Sequence, residues 1–310
     1  SAPSTAILRE NQKLKRGPVT SPWRIAPISA IMVPARSNLE DRMEPSRILG
    51  EIFPQRRPLV GMIHLLPLPG SPRWGGDMDV VIERALADAQ ALVQGGMDGL
   101  MVENYLDTPF YPGRVPPETV AALAVVVREV VLAVSVPVGV NVLRNDAASA
   151  LAIATATGAR MIRVNVHTGA MLADQGWLVG EAHETLRLRS RLEAPVAILA
   201  DVLVKHATPP AGLDLAQAAR DAVYRGLADG LIVSGSGTGQ ATDPERIRAV
   251  KAAVPEAPVW IGSGLTPETA RTLLPLADGA IVGSALMRDG QAGRGVEIER
   301  VRALVAAAKP

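Results

Sequence analysis

The sequence has 310 residues, a formal net charge of +1, 48% hydrophobic and 20% charged residues, and no cysteine. That length suffices for one large domain with a full core, while the charge balance and the scarcity of aromatics (two Phe, three Tyr) argue against nucleic-acid binding. The missing cysteines exclude disulfides, thiolate nucleophiles and Cys-based zinc sites, and fit a cytoplasmic location.

Residues 1–56 differ from the rest of the chain. Ser1 to Arg42 carries seven Lys or Arg against three acidic residues, with scattered Pro and Ser and no sustained period. This predicts a disordered N-terminal extension rather than a targeting peptide, with Met43 as a natural start. A short helix is expected from Arg47 to Ile52, with Ser46 as its cap.

From Arg57 onward the pattern is regular. An apolar, β-branched run ends in a polar or glycine-rich turn, and a helix rich in Ala, Leu, Arg and Glu leads to the next run. Continuous apolar runs are what strands buried on both faces show. Strands are predicted at Leu59–His64, Gly99–Glu103, Val138–Val142, Met161–Val166, Val196–Asp201, Gly230–Val233, Val259–Ile261 and Gly279–Val282. Helices are predicted at Met78–Gln94 and Pro117–Ala133 and over 297–308, and the helix between the fourth and fifth strands has the faintest signal. Start signals recur: Pro117–Glu118, Asp243 before Pro244–Glu245, and Thr266 before Pro267–Glu268. An Asp-Gly pair introduces three strands, at Asp98–Gly99, Asp229–Gly230 and Asp278–Gly279. No run approaches the roughly 18–20 apolar residues of a membrane span. Eight such units in about 250 residues specify an α/β fold, a (β/α)8 TIM barrel over 57–310, rather than an open doubly wound sheet.

In such barrels the chemistry sits at the C-terminal ends of the strands. The sixth strand runs into Ser234–Gly235–Ser236–Gly237–Thr238–Gly239, the seventh into Gly262–Ser263–Gly264 and the eighth into Gly283–Ser284. Glycine lets backbone approach a ligand, and free amides beside a helix start cradle an anion. These turns predict a phosphate monoester site, although the glycines also serve as tight turns. Polar residues mark the other strand ends: His64, Glu103 and Asn104, Asn141 and Arg144, Asn165 and His167, then Asp201, Lys205 and His206. Glu103 and Asp201 are general acid/base candidates, or else members of structural ion pairs with Arg144 or Arg163. His64 is a further catalytic candidate, and the other rim residues are expected to orient substrate. Lys205 is one of five lysines and the only one near a strand end. It is either a Schiff-base amine or a solvated loop lysine. No cofactor is predicted. A divalent metal on His64, His167 or His206 with Glu103 or Asp201 lacks H-x-H or H-E-x-x-H spacing. The apolar first loop, Leu65 to Pro72, and the aromatic loop of Tyr105, Phe110 and Tyr111 either roof the pocket or meet a partner.

Several segments resemble the BtpA family. These are Leu59 to Pro72 (LVGMIHLLPLPGSP), Asp98 to Asn104 (DGLMVEN), Gly139 to Asn145 (GVNVLRN), Arg163 to Gly169 (RVNVHTG), Ala200–Asp201–Val202 with Lys205–His206, the Ser-Gly-Ser-Gly-Thr-Gly turn, and Asp278 to Ser284 (DGAIVGS). The likeness covers about residues 57–310. It implies a barrel of the ribulose-phosphate-binding type and, through the family's name, a role in photosystem I biogenesis in cyanobacteria. Members also occur in non-photosynthetic organisms, and the likeness assigns no reaction and no catalytic residue. Two functions are therefore expected to compete. One is an enzyme acting on a small phosphorylated metabolite. The other is an assembly factor that docks on a membrane complex through its first loop or its aromatic loop. A homo-oligomer is expected in either case.

Overall fold

The structure, a computed structural model, describes residues 47–235 and 237–309. The extension over 1–46, with Ser46 as a cap, and Ser236 of the sixth-strand turn lie outside the described residues. The first half comprises α1 (Arg47–Ile52), β1 (Leu59–His64), α2 (Met78–Gln94), β2 (Gly99–Glu103), α3 (Pro117–Ala133), β3 (Val138–Asn141), α4 (Ala147–Thr157) and β4 (Met161–Val164). Next come β5 (Ala170–Ala173), β6 (Gly176–Val179), α5 (Ala182–Arg191), β7 (Ala197–Asp201), β8 (Ala207–Thr208) and α6 (Leu215–Arg220). The chain continues with β9 (Gly230–Val233), α7 (Pro244–Ala253), β10 (Val259–Ile261), α8 (Pro267–Leu273), β11 (Gly279–Val282) and α9 (Ile298–Ala308). Strands β1, β2, β3, β4, β7, β9, β10 and β11 pair in that order and close into a parallel barrel. This is the (β/α)8 architecture read from the sequence. Among the described residues no helix is long and apolar enough to cross a membrane.

Strand alternation sorts the side chains into two cores. Leu59, Ile63, Leu100, Val102, Val140, Ile162, Ile198, Leu231 and Val259 face outward and pack under the helices. Val60, Met62, Met101, Met161, Leu199, Ile232, Trp260 and Ile281 face inward and fill the barrel. Continuing each inward series toward the C-terminal end gives His64, Glu103, Asn141, Arg163, Asn165, Asp201 and Ser234, all buried polar residues. The strands thus change from apolar to polar at one level inside the barrel.

The opposite end explains the recurring Asp-Gly pairs. Asp98, Asp229 and Asp278 accept hydrogen bonds from the amides of Leu59, Ile198 and Val259, at 2.8, 2.7 and 2.9 Å. Each carboxylate therefore satisfies an amide at the start of the preceding barrel strand. Each also meets a cation, Lys309, Arg189 and Lys251 respectively. The glycine after each aspartate leaves space for the barrel's floor. A Cβ on Gly99, Gly230 or Gly279 would come within 3.0, 2.7 and 2.8 Å of Phe53, Leu49 and Trp260. Leu49, Ile52 and Phe53 belong to the inner core, and Phe53 meets Trp260 edge to face at 5.5 Å. Helix α1 thus plugs the N-terminal mouth.

The stretch after β4 departs from the expected simple βα unit. It forms an antiparallel hairpin, β5 with β6, to which β8 adds as a third strand. Leu172 and Trp177 oppose each other there, 46% and 58% exposed. The helix of faint signal comes next as α5. The expected cap of α8 is present, with Thr266 and Thr269 bonding each other's backbone amides in a capping box, and Asp243 caps α7.

Truncating Phe53→Ala removes the plug and is expected to lower the unfolding free energy by about 3–5 kcal/mol. Urea denaturation reads this directly, and an unchanged midpoint would mean that α1 is not part of the barrel's core.

Candidate functional site

A cavity of about 1310 Å³ opens at the C-terminal ends of the strands. Its lining includes His64, Glu103, Arg144, Arg163, Asn165, Lys205 and His206, together with Gly262, Ser263, Gly264, Gly283 and Ser284. The rim adds Tyr105, Phe110, Thr238 and Gly239, and the hairpin tip Asp174–Gln175.

Arg163 and Asp201 form the deepest charged pair. Arg163 Nε and Nη2 donate to Asp201 Oδ2 and Oδ1, both at 2.9 Å, and Asn165 Nδ2 adds a 2.8 Å bond to Oδ2. The Asp201 side chain is fully buried and that of Arg163 is 5% exposed. Burial alone would lower the Arg163 pKa, but Asp201 and Glu103 outweigh it and raise it further. Asp201 thus forms the ion pair with Arg163 that was one of its two expected roles. Asn165 Oδ1 and Ser234 Oγ are buried without a hydrogen-bond partner among the described residues.

Glu103 is differently placed. One oxygen accepts from Asn141 Nδ2 at 2.5 Å, and the other lies 3.7 Å from His64 Nε2, too far for a hydrogen bond. Asn141 thus braces Glu103 from the neighbouring strand. His64 stacks on Tyr105 at 4.1 Å, and its Nδ1 accepts from the Gly293 amide at 3.1 Å. That bond puts the ring proton on Nε2, the atom facing Glu103. Burial, then Lys205 and Arg163, push the His64 pKa down to about 3, so the ring is neutral.

Lys205 is half-buried, with its carbonyl held by Arg144 Nη2 at 2.8 Å. Burial first, then the cations Arg163 and Arg144, lower its pKa to about 8 against the opposing pull of Glu103 and Asp201. Arg163 is matched by Asp201, while Arg144 and Lys205 add two more cations to the cavity wall facing Glu103 and Asp174.

The glycine turns converge only in part as expected. Ser263–Gly264 and Gly283–Ser284 line the cavity side by side. The backbone amides of Ser263, Gly264 and Ser284 make no hydrogen bond to any described residue. Gly264 takes φ +72°, and a Cβ there would overlap Ala241 of the preceding loop. Ser234 and Gly235 instead lie behind the wall, where the Gly235 amide donates to Ser263 Oγ at 2.8 Å. From that loop it is Thr238 and Gly239 that reach the cavity.

Four further expected residues do not line the cavity: Asn141 and Asp201, which lie behind Glu103 and Arg163 as their partners, and Asn104 and His167. Asn104 accepts from the Leu143 amide and donates to Asp107, which in turn accepts from the Leu68 amide. It ties the first three loops together. His167 meets the Gly226 carbonyl through Nε2 at 2.8 Å and anchors the segment before the hairpin. The sequence names Arg163 only as an ion-pair partner and Thr238 only within the glycine-rich turn, and singles out neither as a residue of the site. Arg163 has a signal, since it lies two positions before Asn165 on the same strand face. Thr238 has none: its hydroxyl meets Tyr105 and, at 3.0 Å, His206 Nε2, from two distant loops. Among the described residues no group of three or more His, Asp or Glu is gathered as a metal ion would need.

The sequence matches the BtpA family over residues 55–310. It is 48% identical over 259 residues to the photosystem I biogenesis protein BtpA of Synechocystis, covering 84% of this chain and 90% of that protein. It is 33% identical over 256 residues to the putative sgc region protein SgcQ of Escherichia coli, covering 82% and 94%. Among solved structures, phosphoribosyl anthranilate isomerase from Thermus thermophilus superposes with a TM-score of 0.50 at 15% identity, over 81% of this chain and 97% of that one. That likeness is one of fold alone. With the family spanning the whole barrel and the relative nearly half identical, the chain belongs to the BtpA family.

Proposed function

We propose that the protein is an enzyme acting on a small phosphorylated metabolite held at the C-terminal face of its barrel. The observation that carries this reading is the make-up of one cavity. Open amides at Ser263–Gly264 and Ser284 form one wall, while Glu103, His64 and Lys205 stand on the same cavity beside two guanidiniums. The amides and the Ser284 hydroxyl take the phosphate. Arg144 and Asn165 orient the remainder of the ligand. Glu103 moves the proton, because both oxygens of Asp201 are already engaged by Arg163. Neutral His64 offers its Nε2–H as a hydrogen-bond donor.

Docking on a membrane complex is the second reading. Leu65 and Leu68 of the first loop are buried, so that loop offers little apolar surface. An exposed apolar face lies on the hairpin, at Leu172, Trp177 and Val179, and Tyr111 of the aromatic loop is exposed as well. This face, with the name of the Synechocystis relative, is what supports docking.

Sugar phosphates and nucleoside monophosphates are expected to raise the melting temperature where their unphosphorylated counterparts do not, and Ser284→Asp is expected to abolish the rise. A melting temperature indifferent to every phosphorylated compound would count against the enzyme reading. If binding to isolated membranes survives Ser284→Asp but is lost in Trp177→Ser, docking gains instead.

The two carboxylates are expected to separate. Asp201→Ala strands the buried Arg163 charge and should lower stability by about 3–5 kcal/mol in urea denaturation. Glu103→Gln keeps an acceptor for Asn141, should unfold within about 1 kcal/mol of the parent, and should abolish turnover of the compound found by thermal shift. Similar stability losses in both variants would remove the distinction drawn between them.

A further inference from the structure

We infer that Lys205 is a nucleophile that forms an imine with its ligand, which makes the substrate class a phosphorylated aldose or ketose. The inference rests on the phosphate-binding reading and narrows it.

The described residues contain three lysines. Lys251 and Lys309 are each paired with an aspartate, Asp278 at 2.8 Å and Asp98 at 2.7 Å. Lys205 Nζ makes no ion pair or hydrogen bond with any described residue, although carboxylates are close enough to act on it. Asp201 is committed to Arg163 and Asn165, while Glu103 gives one oxygen to Asn141 and keeps the other without a hydrogen bond. The amine is thus left unbonded on the wall of the cavity. Its backbone is fixed by the Arg144 guanidinium on its carbonyl. An amine partly withdrawn from water beside fixed cations loses its proton more readily, and burial with Arg163 and Arg144 does this here. The other titratable neighbours are His64, held neutral, and His206, on which Lys205 acts in the same direction.

The step balances with groups already present. Glu103 takes one proton from the Lys205 ammonium, and the amine lone pair attacks the carbonyl carbon, forming the C–N bond. The C=O pair moves to oxygen, which is protonated to the carbinolamine hydroxyl by the second ammonium proton. Glu103 then returns its proton to that hydroxyl, the C–O bond breaks, and water leaves. Ammonium and carbonyl become iminium and water, with no oxidant or reductant.

The test uses the full chain with glyceraldehyde 3-phosphate, dihydroxyacetone phosphate and ribose 5-phosphate, each with and without borohydride, read by peptide mass spectrometry. At least one of the three is expected to leave a reduced adduct on Lys205, at least tenfold above Lys251 and Lys309 in the same sample. The yield should increase as pH rises from 7 to 9, and the unphosphorylated sugar should give at least tenfold less. Lys205→Arg, checked for folding by its urea midpoint, should leave no adduct there. If the three compounds raise the melting temperature but none labels Lys205 above the other lysines, the imine is overturned and the phosphate site stands. If phosphorylated and unphosphorylated sugars label Lys205 equally, and no phosphorylated compound raises the melting temperature, the phosphate reading fails and the substrate class assigned here fails with it.

Discussion

The arrangement of the cavity depends on one buried charge. Arg163 occupies an inward position on a barrel strand, and a guanidinium cannot shed its proton to relieve burial. An unmatched cation there would cost several kcal/mol. Asp201 on the neighbouring strand matches it with a two-pronged pair, and Asn165 completes the carboxylate's bonding. That match sets the roles of the other groups. Both oxygens of Asp201 are engaged by Arg163, Glu103 keeps one oxygen without a hydrogen bond, and Lys205 lies close enough to Arg163 to feel its permanent charge.

The two ends of the barrel use their polar residues differently, in a way the residues themselves make visible. At the N-terminal end, aspartates are used on backbone amides and paired with surface cations, while glycines admit Phe53, Leu49 and Trp260. Nothing among these groups is left unsatisfied. At the C-terminal end, Asn165 Oδ1 and Ser234 Oγ lack partners and Lys205 Nζ is unbonded. Buried polar groups left unpaired are costly, and Asn165 lies on the cavity, where a ligand has room to satisfy it.

Much of this was legible in the chain. The barrel strands fall within one or two residues of the apolar runs that predict them, because each is buried on both faces and so carries its own signal. The polar strand ends were legible for the same reason, as interruptions of those runs. What escaped was whatever depends on pairing between distant segments. The hairpin after β4 is stabilised by β8, more than thirty residues on. The plug formed by α1 is read as part of the tail until Phe53 is seen against Trp260. Ser234 and Gly235 look like ligand-binding residues by composition, yet Gln240 and Ala241 fold over them and only Thr238 and Gly239 reach the cavity. Arg163 is named only as an ion-pair partner, although counting alternate positions back from Asn165 places it on the inward face of its strand.

The loops above the barrel are joined to one another rather than left to move separately. Asn104 and Asp107 fasten the loops after β1, β2 and β3 through the amides of Leu68 and Leu143. Asn145 bonds the Val166 amide and carbonyl and the Val179 carbonyl, fixing the hairpin to the loop after β3. Thr238 meets both Tyr105 and His206 across the mouth. Each is a polar group spent on holding a loop in place. Such bracing fixes a cavity's shape before a ligand arrives and so reduces the entropy lost on binding. A surface that only docks on a partner draws no benefit from an interior cavity held so firmly. The bracing therefore supports chemistry inside the barrel, and the exposed hairpin face is the feature that the same argument leaves to a partner.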